Sequence, residues 1–195
     1  MIIGITGGTG CGKTTLLDII REHGGLVLDC DAIYHELLGT DTALLDAIEV
    51  RFPGVVADAT LDRKKLGKIV FNNEKALQDL NRITHSAVKK AVLTVLKTDP
   101  PLVAIDAIGL FEGGLAELCD VTVAVTASRE NRIARLVRRE QISPEYAELR
   151  IDAQRSNEEF AARCDHVLEN NGTPNEFREK CLAFLRRLGI MKKNS

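Results

Sequence analysis

The chain has 195 residues, 45% hydrophobic and 28% charged, with 26 Lys and Arg against 28 Asp and Glu for a formal net charge of −2. That much apolar material excludes wholesale disorder. Near-neutrality excludes non-specific coating of nucleic acid or an anionic membrane, though not a local cluster of positive charge.

Aromatic residues are 4% with no Trp, too few for base-stacking platforms on single strands. The five cysteines (Cys11, Cys30, Cys119, Cys164, Cys181) are odd in number and form no C-x-x-C pair, which disfavours a disulfide framework or zinc ribbon and fits a reducing compartment. The opening Met-Ile-Ile-Gly-Ile-Thr lacks the basic region of a signal peptide. No apolar run approaches the ~18–20 residues that span a bilayer. The expectation is a cytoplasmic protein, a monomer or small homo-oligomer, with neither nucleic acid nor membrane as partner.

Short Val-, Ile- and Leu-rich runs at 2–6, 26–28, 102–106, 121–126 and 165–168 read as buried parallel strands. A helix follows the first, starting near Lys13 with Leu16, Leu17, Ile19 and Ile20 on one face. Strand, helix, strand predicts an α/β three-layer domain. Residues 29–101 lack strand-like alternation and carry helical patterns at 32–38, 42–51, 62–72 and 74–97, read as a helical insertion. Ser143-Pro144-Glu145 and Thr173-Pro174-Asn175-Glu176 are helix starts, each a cap followed by proline. The tail 192–195 is expected to fray.

Residues 7–14, Gly7-Gly8-Thr9-Gly10-Cys11-Gly12-Lys13-Thr14, fit G-x-x-x-x-G-K-[ST] in full, between an apolar strand and an amphipathic helix. Such a loop curls successive backbone N–H groups around a phosphate, and the following helix aims its positive end at the same anion. Lys13 reaches the β/γ-phosphates and the Thr14 hydroxyl serves Mg²⁺. Asp106-Ala107-Ile108-Gly109 matches the D-x-x-G of a GTPase switch, but no Asn-Lys-x-Asp guanine reader occurs. A thiol at a helix N-terminus tends to a lowered pKa, so Cys11 is expected to be reactive, its modification blocking ATP.

Asp29 and Asp31 end the second strand, where ligands of open α/β sheets bind. Asp31 is either the base for an attacking hydroxyl or merely the cap of the helix after it. Asp106 either holds metal-bound water or only ends a strand. Arg132, Arg135 and Arg139 share one helical face, in a stretch (121–139) with five arginines and one glutamate. They are expected to clamp β/γ-phosphates, and the polar segment 140–160 suits a lid that excludes water.

These elements together resemble the dephospho-CoA kinase family. The resemblance runs from Ile3 to about Gly172 and rests on motifs in the family's order. They are the phosphate loop, Asp29-Cys30-Asp31-x-x-x-His35, Thr60-Leu61-Asp62-Arg63-x-x-Leu66-x-x-x-Val70-Phe71, Ile83-Thr84-His85 and Asp106-x-x-x-x-Phe111-Glu112. Cys119-Asp120-x-x-x-x-Val125, the arginine helix, Ala147-x-x-Arg150-Ile151-x-x-Gln154 and Cys164-Asp165-His166-Val167-Leu168-x-Asn170-x-Gly172 complete the series.

The resemblance implies a three-layer P-loop kinase fold with a five-stranded parallel sheet, a helical acceptor-binding insertion and a small helical lid. The nucleotide core comprises 1–31, 101–139 and 161–195, the insertion 32–100 and the lid 140–160. It implies that ATP, with Mg²⁺, phosphorylates the ribose 3′-hydroxyl of dephospho-CoA, giving CoA and ADP. Another small-molecule P-loop kinase acting on a nucleoside or nucleotide, or a non-enzymatic nucleotide switch, is the alternative.

By the same resemblance Asp31 is the general base, and Lys13 with Arg139 stabilises the transferred phosphoryl. Gly8, Gly10, Cys11, Gly12, Lys13, Thr14, Thr15, Arg135, Arg139 and Asn170 bind ATP, Asn170 near the adenine. Asp31, His35, Arg63 and His85 bind the acceptor, and Thr14 holds Mg²⁺ with water-mediated help from Asp29 or Asp106. Two departures stand out: Ser86 replaces the family's proline after His85, and Ile108-Gly109 replaces its proline-leucine pair. Both are expected to loosen the backbone near the acceptor pocket.

Overall fold

The computed structural model describes residues 1–71 and 73–191; the expected fraying at 192–195 lies outside the described residues, as does position 72 at the end of the expected helix 62–72. In chain order the elements are β1 (Ile2–Thr6), α1 (Lys13–Glu22), β2 (Leu26–Asp29), α2 (Cys30–Thr40), α3 (Thr42–Arg51), β3 (Val56–Ala57), β4 (Thr60–Leu61), α4 (Arg63–Val70) and α5 (Glu74–Leu96). Then follow β5 (Val103–Asp106), a 3₁₀ turn (Ala116–Leu118), β6 (Val121–Thr126), α6 (Arg129–Glu140), α7 (Pro144–Asp152), α8 (Asn157–Ala161), β7 (His166–Glu169) and α9 (Pro174–Arg187). Five strands form one parallel sheet in the order β2-β5-β1-β6-β7. This is the expected α/β fold, and it puts the end of β1 at the centre of the sheet.

The strands are short and apolar because both faces are covered. All six residues of β6 are buried. Ile3, Ile5, Val123 and Val125 pack with Leu16, Ile19 and Ile20 of α1 and with Phe177, Phe184 and Leu185 of α9. Each such side chain contributes about 1.5–3 kcal/mol by leaving water. This anchors the helix that follows the glycine loop.

The chain divides into two compact units. The first comprises Met1–Val27, Pro100–Leu110 and the described residues from Leu118 onward; the second comprises Leu28–Asp99 and Phe111–Glu117. The second unit has its own core of Leu38, Leu44, Leu45, Ile48, Phe52, Val55, Leu66 and Ala76.

Two expectations are corrected in the second unit. Residues 29–101 do contain strands: β3 and β4 form an antiparallel hairpin, Val56 opposite Leu61 and Ala57 opposite Thr60. Two residues per strand are too few to show alternation, and the turn residues Asp58 and Ala59 (φ 49° and 56°) lack the glycine that usually signals a hairpin. Nor does Ser86 loosen the backbone. It lies inside the continuous 23-residue α5, where a proline would remove a helical hydrogen bond. In the first unit, Ile108 is likewise held, its carbonyl accepting from Thr6 Oγ1 at 3.1 Å.

The expected helix starts are present: Thr173 and Glu176 form a capping box before α9, and Ser143 caps α7 with Pro144 in its first turn. Among the described residues no helix is long and apolar enough to cross a membrane.

Candidate active site

The loop after β1 delivers Gly12 as the N-cap of α1, in a left-handed conformation (φ 92°). Only glycine fits there, since a Cβ would collide with Asn170 Nδ2 and the φ itself disfavours side chains. Among the described residues, α1 is the one α-helix of nine without a capping side chain. Asp29, Asp41, Asp62, Asn73, Ser128, Ser143, Ser156 and Thr173 cap the other eight. No side chain competes for the first-turn amides of α1, so they form an anion site at the positive end of the helix.

Lys13 Nζ donates to the Gly7 carbonyl at 3.0 Å and lies 3.8 Å from Asp106 Oδ1 at the end of β5. Both side chains are largely buried, 15% and 17% exposed. A cation so shielded acts on a bound anion with less dielectric screening than a surface lysine would. Thr14 and Thr15 complete the first turn of α1.

The arginine helix, α6, meets this loop from its carbonyl side. Arg132 Nε donates to the Thr9 carbonyl at 2.9 Å, and Arg132 is 4% exposed. Arg135 Nη1 donates to the carbonyls of Gly10 and Cys11, both at 3.3 Å. Its Nη2 donates to the Asn170 carbonyl at 2.8 Å and to Asn170 Oδ1 at 3.2 Å. Asn170, itself buried, donates from Nδ2 to the Cys11 carbonyl at 2.8 Å.

Arg132 and the terminal nitrogens of Arg135 thus engage the loop and Asn170. These guanidinium groups hold the carbonyls of Thr9, Gly10 and Cys11. Arg139, one turn further along, is mostly exposed and donates to Glu140 Oε1 at 2.5 Å. Glu140 also pairs with Arg150.

Cys11 corrects one expectation. Its side chain is fully buried, and burial raises the thiol pKa above its ordinary value despite the nearby charges of Arg132 and Lys13. The loop's shape hides the sulfur although its sequence position is a helix N-terminus. Iodoacetamide is expected to leave Cys11 unmodified in the native protein and to label it after unfolding in urea. Peptide mass spectrometry checks this, and equal labelling rates in both states would refute it.

In the second unit, Asp29 settles one of the open readings. Its Oδ1 accepts from the N–H groups of Asp31 and Ala32, both at 3.0 Å, so the cap of α2 is Asp29 and not Asp31. Asp31 lies in the first turn with an exposed side chain. His35 on α2 and Arg63 at the start of α4 come together, with Arg63 Nη2 at 3.2 Å from His35 Nδ1. Arg63 also lines a cavity of about 210 Å³ with Tyr34, Leu38, Leu61, Leu66 and Leu80. His85 lies half-buried on α5, outside that lining.

The structure thus gathers Lys13, Asp106, Arg135 and Asn170 around the loop in one unit, and His35 with Arg63 in the other. Sequence reasoning gave Gln154 only a motif position and did not foresee that Arg132 meets the loop's backbone. Yet Gln154 Oε1 accepts from the Thr9 N–H at 2.7 Å and from Arg132 Nη2 at 3.2 Å. No local pattern announces a bond across 145 residues.

A family model described as dephospho-CoA kinase matches residues 1–176. A dephospho-CoA kinase of Symbiobacterium thermophilum is 38% identical over 191 residues, covering 95% of this chain and 80% of the relative. A solved protein of Thermus thermophilus superposes with a TM-score of 0.79 at 32% identity, over 96% of this chain and 97% of that one. A dephospho-CoA kinase from Campylobacter jejuni superposes with a TM-score of 0.68 at 26% identity, over 97% and 98%. The uncapped phosphate helix, its buried lysine and the arginine helix behind the loop all fall within the matched residues, and the chain belongs to the dephospho-CoA kinase family.

Proposed function

We propose that the protein transfers the γ-phosphoryl group of ATP to the ribose 3′-hydroxyl of dephospho-CoA, giving CoA and ADP in the last step of CoA synthesis. The observation that carries this reading is the phosphate loop with its uncapped helix, inside a family match that extends over 176 residues. In this reading the first unit holds ATP and the second, with the insertion 32–100, holds the acceptor, while 140–160 serves as lid.

The loop's backbone N–H groups from Gly8 to Thr15, apart from those of Thr9 and Cys11, which Gln154 and the Gly8 carbonyl engage, neutralise charge on the β- and γ-phosphoryl oxygens together with Lys13. Arg135, whose terminal nitrogens are engaged, offers a base only the flat faces of its guanidinium. Asn170 serves the nucleotide through the Cys11 carbonyl that it holds. Arg139 exchanges the exposed Glu140 for the transferred phosphoryl group. Asp31 takes the proton of the 3′-hydroxyl, and His35, Arg63 and His85 bind the acceptor.

The oxygen donors of Thr14 and Asp106 suit Mg²⁺, a hard cation that keeps several of its waters. Asp106 is the better water-holding candidate because Asp29 already caps α2. Thr14 and Asp106 would hold the metal there, and it would supply positive charge toward the phosphate oxygens.

ADP release by the purified protein tests the proposal. Strong stimulation by dephospho-CoA, its loss with EDTA and its return with excess Mg²⁺ are the expected results. Stimulation by a nucleoside instead would reassign the acceptor, and no stimulation by any acceptor would leave a nucleotide-binding switch.

A further inference from the structure

Arg132 and Gln154 take no part in the chemistry assigned above, yet they hold one residue of the phosphate loop at both of its backbone polar groups. The carbonyl of Thr9 accepts from Arg132 Nε at 2.9 Å, and the N–H of Thr9 donates to Gln154 Oε1 at 2.7 Å. The two side chains also hold each other, with Arg132 Nη2 at 3.2 Å from the same Oε1. Gly8 makes room for this ring. A Cβ there would collide with Arg132 Nη2 and approach Gln154 Oε1 to 3.1 Å.

Gln154 is itself held. It follows Ala153, the C-cap of α7, and its N–H donates to the Ile151 carbonyl at 3.1 Å. Ala147 and Ile151 of α7 pack with Leu136 of α6, and Arg129 of α6 pairs with Asp152. A continuous chain of contacts therefore runs from the packed face of α7 to the Thr9 peptide.

We infer that Gln154 is a positioning residue for the nucleotide phosphates, acting through Thr9 and Arg132. A phosphate loop binds only while its amides converge, and a peptide that turns over puts a carbonyl oxygen where a donor belongs. Glycines on both sides of Thr9 leave that rotation open. The two bonds to Oε1 oppose it. Without that acceptor the Thr9 N–H and a buried guanidinium N–H both lose their partner, which costs more than an ordinary exposed hydrogen bond.

The inference rests on reading the loop as an ATP site. Gln154→Met tests it, keeping the length of the side chain while removing the acceptor. The expected result is about a tenfold rise in KM for ATP and in the ADP dissociation constant, with KM for dephospho-CoA within about twofold of the parent. Gln154→Asn retains the amide with a shorter reach, so it should shift ATP in the same direction by less, and it serves if the Met variant does not fold.

Unchanged or tighter ADP binding by either folded variant would overturn the inference. So would an equal rise in KM for both substrates together with a lowered Tm, which is the signature of a merely structural role. A parent protein that binds ADP but does not phosphorylate dephospho-CoA would sink the functional reading alone. The ADP dissociation constants would then still decide the role of Gln154.

Discussion

Replacing Asp31 by Asn is expected to lower kcat by about 10²–10⁴-fold, the usual contribution of a positioned general base, with ATP binding nearly intact. Had Asp31 been the cap of α2, the substitution would have weakened the helix and blurred the result. The cap is the carboxylate of Asp29, which holds the N–H groups of Asp31 and Ala32. Asp31→Asn therefore removes a proton acceptor of nearly unchanged shape from an exposed first-turn position, where stability changes are usually within about 0.5 kcal/mol. Steady-state kinetics, an ADP titration and a thermal melt together check it. A variant keeping most of its kcat would show that Asp31 orients the acceptor rather than deprotonating it.

Lys13→Ala is expected to lose catalysis and phosphate affinity together. Lys13 is held by the Gly7 carbonyl at 3.0 Å and lies 3.8 Å from Asp106, so its ammonium is fixed before any anion arrives. Removing one preorganised donor to developing charge typically lowers kcat by about 10²–10³-fold. Unlike a transition-state donor alone, Lys13 also faces ground-state phosphate, so the ADP dissociation constant should rise as well, by about tenfold or more for a lost charge-assisted bond. ADP calorimetry beside initial-rate kinetics separates the two effects. Unchanged ADP affinity would mean that the backbone amides alone bind the phosphates.

The strands and α1 were legible because both-face burial leaves continuous apolar runs, and the Thr173 and Ser143 starts because capping chemistry is local. The β3–β4 hairpin was not, since two paired residues per strand leave no period to read. At the site, the glycine spacing and Lys13 were legible for the same reason as the caps: their geometry is set within a few residues. The arginine helix shows the limit. Its periodicity gave the shared face of Arg132, Arg135 and Arg139 but not what that face meets, and for the first two it meets backbone carbonyls. Cys11 failed in the same way. Its position at a helix start suggested activation, whereas its complete burial, a tertiary fact, decides the thiol's behaviour.

The bracing of the loop has a consequence for the order in which the chain is made. The carbonyls of Thr9 and Cys11 are fixed by Arg132 and Asn170, which lie 123 and 159 residues downstream. At about 5–20 residues per second, a ribosome reaches Asn170 roughly 8–30 s after it has finished the glycines. During that interval the nascent chain has the complete motif but not both of these braces. The glycine motif is thus written early and locally, while the side chains that hold its carbonyls arrive late, so the braced loop is a product of tertiary folding rather than of its own segment.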